Sequence, residues 1–197
     1  MNIDLRSPDV VQLSRQLLGY RLCTLIDGQL TSGIIVETEA YRAPEDKASH
    51  AYNGRRTSRT ETIFSEGGVS YVYLCYGIHS LFNVVSGPAD TAHAILVRAL
   101  QPETGIDLMK VRRGPSVRQR HLTSGPGKLC QALGITREMN GKVLDKDVGS
   151  GIWLEPGIEI LPSLIKSAKR VGVDYADEWK EKLWRFYISG DPNVSVI

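Results

Sequence analysis

The sequence predicts a single α+β domain that spans residues 1–197. Its length is typical of one domain. Several apolar stretches are joined by short turns that contain glycine, which favours antiparallel β-strands. Other stretches repeat their apolar residues at helical spacing, between signals for the start and the end of a helix. An antiparallel sheet accompanied by helices defines the α+β class.

The first predicted elements are a helix and a β-hairpin. Ser7-Pro8-Asp9 supplies an N-cap, a proline at the first helical position and an acidic residue in the first turn. The apolar residues that follow recur at helical spacing up to Gly19. Strands are expected over residues 20–26 and 30–41, because Asp27-Gly28 between them is a hairpin signal.

The remaining elements form an antiparallel meander followed by shorter segments. Strands are expected over residues 69–76, 81–86 and 93–100, and later near residues 152–154, 169–173 and 184–189. Helices are expected over residues 103–111 and 127–133. Residues 42–61 are polar and long for a loop, which favours a functional role for this segment.

Composition argues against several classes of protein. Hydrophobic residues make up 42% of the chain, and no apolar run approaches the ~20 residues of a membrane span. The three cysteines are far apart and no secretion signal is present, so we expect a reduced, cytoplasmic protein without metal or cofactor. Motifs for metal hydrolysis, dinucleotide binding and serine esterase chemistry are absent.

An acidic strand is the first candidate for chemistry. In VETEAY, Glu37, Glu39 and Tyr41 fall on one face of the predicted strand. Neighbouring carboxylates repel each other, so at least one needs a nearby cation or a raised pKa. Arg98, within the apolar stretch AILVRAL, should be buried and needs a carboxylate partner, for which Glu37 or Glu39 is the natural candidate. The simpler alternatives are the solvated face of an edge strand and a core salt bridge. Asp46, in the loop that follows, is expected only to solvate the loop or to start a helix, as is its neighbour Glu45.

Tyrosines supply a second group of candidates. Tyr71 and Tyr73 share one face of the predicted strand YVYLCY. Tyr76 precedes Gly77 in a tight turn, where an aromatic ring is pushed outward and needs a partner to stack on. The alternative is that these tyrosines are ordinary strand residues at the edge of the core.

Positive charge is concentrated locally. Residues 101–130 carry six basic and two acidic side chains, although the net charge of the whole chain is only +2. In SGPGKLCQALG, Gly127 and Lys128 open a helix, so backbone N–H groups and a cation could bind a phosphodiester there. An ordinary capped helix is the alternative. Arg55 and Arg56 add a basic cluster in the polar loop.

Together these motifs resemble the alkyladenine (3-methyladenine) DNA glycosylase family. The resemblance runs from about residue 33 onward and rests on VETEAY, the PED that follows it, His50, YVYLCYG, Asn83, ILVRAL, SGPGKLCQALG, RVGV, RFYISG and VSV. It implies a single α+β domain around a curved, mostly antiparallel β-sheet with flanking helices, similar to the C-terminal domain of formyltransferases. It also implies a monofunctional enzyme of base excision repair, which flips alkylated or deaminated purines out of duplex DNA and hydrolyses the N-glycosidic bond with an activated water, leaving an abasic site.

The resemblance assigns roles to the matching residues. Glu39 matches the carboxylate that activates the water, and Arg98 matches the residue that helps to hold this water. Tyr41, His50 and Tyr73 match the side chains between which the extruded base lies.

The resemblance also assigns contacts with DNA. Asn83 matches the residue whose bulk disfavours the 2-amino group of normal guanine, and Tyr76 matches the wedge that fills the gap left in the duplex. We expect contacts with the DNA backbone from Arg55, Arg56, Gly127 and Lys128. The implied partner is double-stranded DNA that contains damaged purines, bound by a monomer in the cytoplasm at the bacterial nucleoid.

Two other functions stay open at this point. A non-catalytic nucleic-acid-binding module could use the same tyrosines and basic residues, and would not need the carboxylate of Glu39. A nucleoside hydrolase acting on small molecules would leave Tyr76 and the basic cluster of residues 112–120 without a role.

Overall fold

The computed structural model describes residues 3–196, which form one curled antiparallel sheet with three α-helices. The helices are α1 (Val10–Gln16), α2 (Ile106–Arg113) and α3 (Pro126–Leu133). The strands are β1 (Arg21–Ile26), β2 (Gln29–Arg42), β3 (Ser70–Cys75), β4 (His79–Ser86), β5 (His93–Thr104), β6 (Ile152–Glu155), β7 (Ile165–Ala168) and β8 (Arg185–Ile188). The predicted α+β fold class is confirmed.

Strand β2 lies in the middle of the sheet. The main order is β3-β4-β5-β2-β1-β6, and β8 pairs with β2 and β7. The first half of β2 pairs with β1 as far as Ile34, and from Glu37 to Glu39 it pairs with β8 instead. Its register with β5 is irregular on both sides of Glu37. Such a bulge bends a strand and re-aims its side chains, here where β2 exchanges one neighbour for another.

The hydrophobic core lies between the sheet and the helices. Helix α1 packs on β2 and β5, and α3 packs on β4 and β5. Leu13 of α1 and Leu129 of α3 are buried together with Ile35 and Phe82 of the sheet. The helices therefore cover one side of β2, β4 and β5. Within residues 3–196, no helix has the length and apolar content needed to cross a membrane.

Three predicted elements differ from the structure. The N-cap of α1 is Asp9, whose carboxylate accepts from the backbone N–H of Gln12, so Pro8 precedes the helix. Helix α2 begins only at Ile106, because the two residues at the predicted start complete β5. The strand predicted over residues 169–173 is wrong. Strand β7 ends at Ala168, and the chain then turns inward to bind buried acidic groups.

Candidate active site

A cavity of about 640 Å³ brings most of the predicted site residues together. Its volume lies in the range of pockets that hold small organic groups. The predicted residues that line it are Tyr41, His50, Tyr73, Tyr76, Asn83 and Arg98. They come from β2, the following loop, the β3–β4 hairpin and β5, so the fold gathers them from segments distant in the sequence.

The carboxylates of Glu37 and Glu39 are both fully buried. The alternative that VETEAY forms the solvated face of an edge strand is therefore wrong, because β2 is paired with β5 on one side and with β8 on the other. Arg98 is buried and has a carboxylate partner, as predicted, and it contacts both Glu37 and Glu39. Its Nε donates to Glu37 Oε1 at 3.1 Å, and its Nη1 lies 3.3 Å from Glu39 Oε1. Arg185 gives Glu37 a second cation at 2.9 Å.

Glu39 lies directly behind the wall of the cavity. Its Oε1 accepts from the backbone N–H of Val171 at 2.7 Å, and its Oε2 accepts from the hydroxyl of Tyr41 at 2.7 Å. Tyr41, Val171 and Arg98, the three partners of this carboxylate, all line the cavity. Burial raises the pKa of Glu39, against the opposing effect of the positive charge of Arg98. A carboxylate of this kind is a stronger base than one in water.

Tyr41 forms one wall and is held from behind by Arg170. The guanidinium of Arg170 lies 4.8 Å from the centre of the Tyr41 ring and 5.2 Å from the centre of the Trp184 ring. Burial, followed by the negative charge of Glu39, raises the pKa of Tyr41 well above its ordinary value. The phenol is therefore neutral and donates a hydrogen bond to the carboxylate.

Asp46 is the buried partner of Arg170. Its two carboxylate oxygens accept from Arg170 at 2.5 and 2.9 Å, and both side chains are fully buried. The prediction that Asp46 only solvates the loop or starts a helix is wrong, because this bidentate pair ties the loop after β2 to the segment after β7. Glu45 is exposed and pairs with Arg42, as expected of a loop residue.

The other wall consists of His50, Tyr71 and Tyr73. The His50 ring lies edge-on to Tyr73, with ring centres 4.6 Å apart, and His50 Nδ1 is 3.0 Å from the hydroxyl of Tyr71. Burial, followed by the positive charges of Arg59 and Arg55, lowers the pKa of His50 to about 4. The imidazole is therefore neutral at physiological pH.

Asn83 is fixed in the floor between these walls. Its side-chain amide donates to the backbone carbonyl of Tyr71 at 3.1 Å, and the residue is almost fully buried. The amide is thereby held at one orientation on the cavity surface.

Tyr76 stands at the tip of the β3–β4 hairpin, with 93% of its surface exposed. Its φ of 51° is left-handed, a conformation that few residues other than glycine adopt. The prediction that this ring points outward is confirmed. The ring lies at the mouth of the cavity, because Tyr76 and Gly77 are both part of its lining.

Comparison with known sequences identifies the family. The sequence profile of the Methylpurine-DNA glycosylase (MPG) family matches residues 4–192. The chain belongs to this family. The predicted membership is therefore confirmed, and so is the assignment of the chain as a DNA glycosylase, a hydrolase of N-glycosyl bonds.

Bacterial relatives match over nearly their whole length. A protein of Chlamydia abortus named "Putative 3-methyladenine DNA glycosylase" is 48% identical over 185 residues, which cover 91% of this chain and 93% of the relative. Proteins of the same name from Chlamydia pneumoniae and Bacillus cereus (strain G9842) are 46% and 45% identical, over 192 and 194 residues. These matches cover 97% and 95% of this chain, and 95% and 94% of the two relatives.

The basic residues predicted to contact DNA differ in their surroundings. Arg55 lines a second cavity of about 300 Å³, which shares His50 and Arg59 with the first. Arg56 lies elsewhere, paired with Glu61 and Asp90. It has less freedom than Arg55 to bind a phosphate.

The start of α3 approaches the Tyr76 hairpin. A side chain at Gly127 would meet the Cβ of His79 at 3.2 Å, and Pro126 lines the main cavity. Lys128 is exposed at this end of the enzyme. Gly127 therefore lies next to the hairpin that carries Tyr76, and contacts of Gly127 and Lys128 with the DNA backbone stay a prediction.

Several residues of the site were missed or only noted in the sequence analysis. Arg59 lies over the ring of Tyr73 at 5.6 Å, and Tyr175 lines both cavities. Val171 and Arg170 lie in RVGV, a motif that marks the family but gives no sign of which side chain points inward. A buried arginine in so polar a segment has no local sequence signal.

Replacing Asp46 by alanine should destabilise the enzyme strongly. Arg170 would keep its charge in a fully buried position without a carboxylate partner, a change that typically costs about 3–5 kcal/mol. Urea unfolding measures the loss. Glu45→Ala is the matched control and should change the free energy of unfolding by less than about 0.5 kcal/mol, because its ion pair is exposed. Equal effects of the two substitutions would contradict a structural role for Asp46.

The buried, neutral His50 should make stability depend on pH. Because its pKa falls from 6.5 to about 4 on folding, the unfolded chain binds a proton first as the pH drops. The contribution to the free energy of unfolding is intact above pH 6.5 and falls by roughly 3 kcal/mol by pH 4. Urea unfolding across this range should show a weaker dependence for His50→Gln than for wild type. An NMR titration midpoint near 6.5 for His50 would contradict this prediction.

Proposed function

We propose that this enzyme is a monofunctional DNA glycosylase of base excision repair, which flips alkylated or deaminated purines out of duplex DNA and hydrolyses their N-glycosidic bond with an activated water. The product is DNA with an abasic site. One observation carries the proposal: a buried carboxylate, Glu39, lies directly behind the wall of an aromatic cavity whose mouth carries the exposed ring of Tyr76.

Extrusion of the base is the first step. A base within the helical stack cannot reach a cavity of this depth, and unstacking it costs a few kcal/mol, less when the pair is damaged. Tyr76 offsets part of this cost by filling the gap that the base leaves. Its exposure at the hairpin tip, next to the cavity mouth, supports this role.

The cavity then selects the base. Tyr41 on one wall and His50 with Tyr73 on the other offer ring surfaces to the extruded purine. Alkylated purines carry positive charge, which aromatic faces attract. A neutral His50 adds no repelling charge. Asn83 in the floor disfavours the 2-amino group of normal guanine by its bulk.

Glu39 and Arg98 carry the chemistry. Cleavage of the N-glycosidic bond develops positive charge on the sugar, as in the oxocarbenium-like transition state of glycosidases. Glu39 removes a proton from the attacking water and stabilises this charge, while Arg98 helps to hold the water. Glu37 supports Arg98 by accepting its Nε hydrogen bond. The described lining of the cavity contains no lysine, which favours water over an amine as the nucleophile.

The partner is double-stranded DNA with damaged purines, bound by a monomer. Arg55, Gly127 and Lys128 contact its backbone on either side of the wedge, and Arg56 contributes less because of its ion pairs. The relatives are named for 3-methyladenine, and we infer that this base is among the substrates here.

Glu39→Gln tests the catalytic assignment. The variant should bind a duplex with a single lesion as wild type does but release free base about 10²–10⁴ times more slowly, because the general base is lost while the shape of the side chain is kept. Free base is measured by chromatography from duplexes that each carry 3-methyladenine, 7-methylguanine, hypoxanthine or ethenoadenine. Full activity of Glu39→Gln would favour the rival, a non-catalytic binding module. A covalent adduct trapped by borohydride would refute water as the nucleophile.

Tyr76→Ala separates base flipping from the hydrolysis of small nucleosides. Loss of the wedge should slow base release from duplex DNA by about 10-fold or more, since stacking is worth 1–3 kcal/mol per base. Ile78→Ala, an exposed neighbour on the same hairpin, is the matched control and should have a smaller effect. Unchanged release from duplexes by Tyr76→Ala, together with turnover of free nucleosides, would favour a nucleoside hydrolase.

A further inference from the structure

A segment outside the cavity, residues 193–196, contacts the guanidinium of Arg98. Arg98 Nη2 donates to the hydroxyl of Ser195 at 3.2 Å. Its Nε donates to Glu37 at 3.1 Å, and its Nη1 forms an ion pair with Glu39 at 3.3 Å, so each of the three guanidinium nitrogens contacts a different residue. Of the three groups contacted, the Ser195 hydroxyl is the one without a charge.

The segment is itself firmly attached. The backbone N–H of Ser195 donates to Glu37 Oε2 at 2.7 Å, and the carbonyl of Val196 accepts from Arg185 at 2.8 Å. Val194 is buried in the main core. Ser195 thus contacts both members of the Glu37–Arg98 pair, one through its backbone and the other through its side chain.

We propose that Ser195 is a positioning residue, whose hydroxyl fixes the plane of the Arg98 guanidinium so that Nη1 faces Glu39. The proposal rests on the proposed function, in which Arg98 and Glu39 act on the water. A planar guanidinium held at both Nε and Nη2 has one orientation. Without the Ser195 hydroxyl, the guanidinium is held only by its hydrogen bond to Glu37. It can then rotate about this bond, which moves Nη1 away from Glu39.

Withdrawal of Arg98 would also change the protonation of Glu39. The groups that face this carboxylate are Glu37 and Tyr41 from β2, Arg98 from β5, and Arg170 and the Val171 N–H from the loop after β7. Arg185 of β8 is paired with Glu37. The positive charge of Arg98 lowers the pKa of Glu39 against the effect of burial. A misplaced Arg98 therefore raises this pKa and moves the acid limb of activity to higher pH.

Ser195→Ala removes the hydroxyl but keeps the backbone N–H that binds Glu37. The single-turnover rate constant for base release, measured from pH 4 to 8 on the lesion that wild type releases fastest, should fall about 10-fold, as for loss of a hydrogen bond to a charged group. The acid limb should move to higher pH, with unchanged affinity for the duplex. Ser195→Thr should restore the rate and the pH profile. Ser189→Ala, an exposed serine in the preceding turn, is the matched control.

Each outcome has a defined meaning. A wild-type rate and pH profile for Ser195→Ala overturns the proposal. Equal losses in Ser195→Ala and Ser195→Thr, with lowered thermal unfolding temperatures, also overturn it, because they indicate only a structural contribution. Glu39→Gln is assayed in parallel. If that variant keeps full activity, the proposed function fails; if it is inactive while Ser195→Ala is unchanged, only the role of Ser195 fails.

Discussion

Six buried charged groups impose the constraint on which the rest of the site depends. A carboxylate or guanidinium removed from water costs several kcal/mol unless a partner of opposite charge and further hydrogen bonds accompany it. Every buried acid therefore has to meet a base from another part of the chain. The acids are Glu37, Glu39 and Asp46, and the bases are Arg98, Arg170 and Arg185. Pairing them fixes β2, β5, β8 and two loops relative to one another, and of these segments β2, β5 and the two loops contribute to the lining of the cavity.

The charges and the cavity surface are arranged in layers. Aromatic rings form much of the surface of the cavity, and most of the charged groups that orient these rings lie behind them. Arg170 lies against the ring of Tyr41, and Glu39 accepts a hydrogen bond from the Tyr41 hydroxyl. Behind the rings the medium is poorly polarisable, so electrostatic interactions are stronger there than at the mouth. The same arrangement that neutralises the buried acids thus holds the aromatic surface of the cavity in place and leaves the Glu39 carboxylate directly behind it.

Local rules predicted some of this arrangement. A carboxylate partner for Arg98, either Glu37 or Glu39, followed from the cost of burying an arginine in an apolar strand, and the structure shows contacts with both. The exposure of Tyr76 followed from its place before Gly77 in a turn. Both arguments need only the residue and its immediate neighbours in the sequence. The strands of the hairpins were likewise predictable from their apolar stretches and from the glycine-containing turns between them.

Other features depend on contacts that a single sequence does not reveal. In the sequence, Asp46 cannot be told from any other acidic loop residue, because its partner Arg170 lies 124 residues further along the chain. The same contact draws the chain inward after Ala168 and replaces the strand that residues 169–173 suggest by composition. Arg56 illustrates the reverse case, since its position in a basic cluster suggests a free cation, yet Glu61 and Asp90 neutralise it.

The backbone of the β3–β4 hairpin determines the position of Tyr76, the proposed wedge. Cys75 and His79 are paired across the hairpin, and the N–H of Ile78 donates to the carbonyl of Cys75, so the left-handed conformation of Tyr76 is set by the folded chain. His79 also abuts the first turn of α3 at Gly127. Ordering a loop on association lowers affinity, because conformational entropy is lost at that moment. In the proposed insertion of Tyr76 into a duplex, that loss has already occurred during folding, and only the side-chain torsions of the tyrosine are still to be fixed.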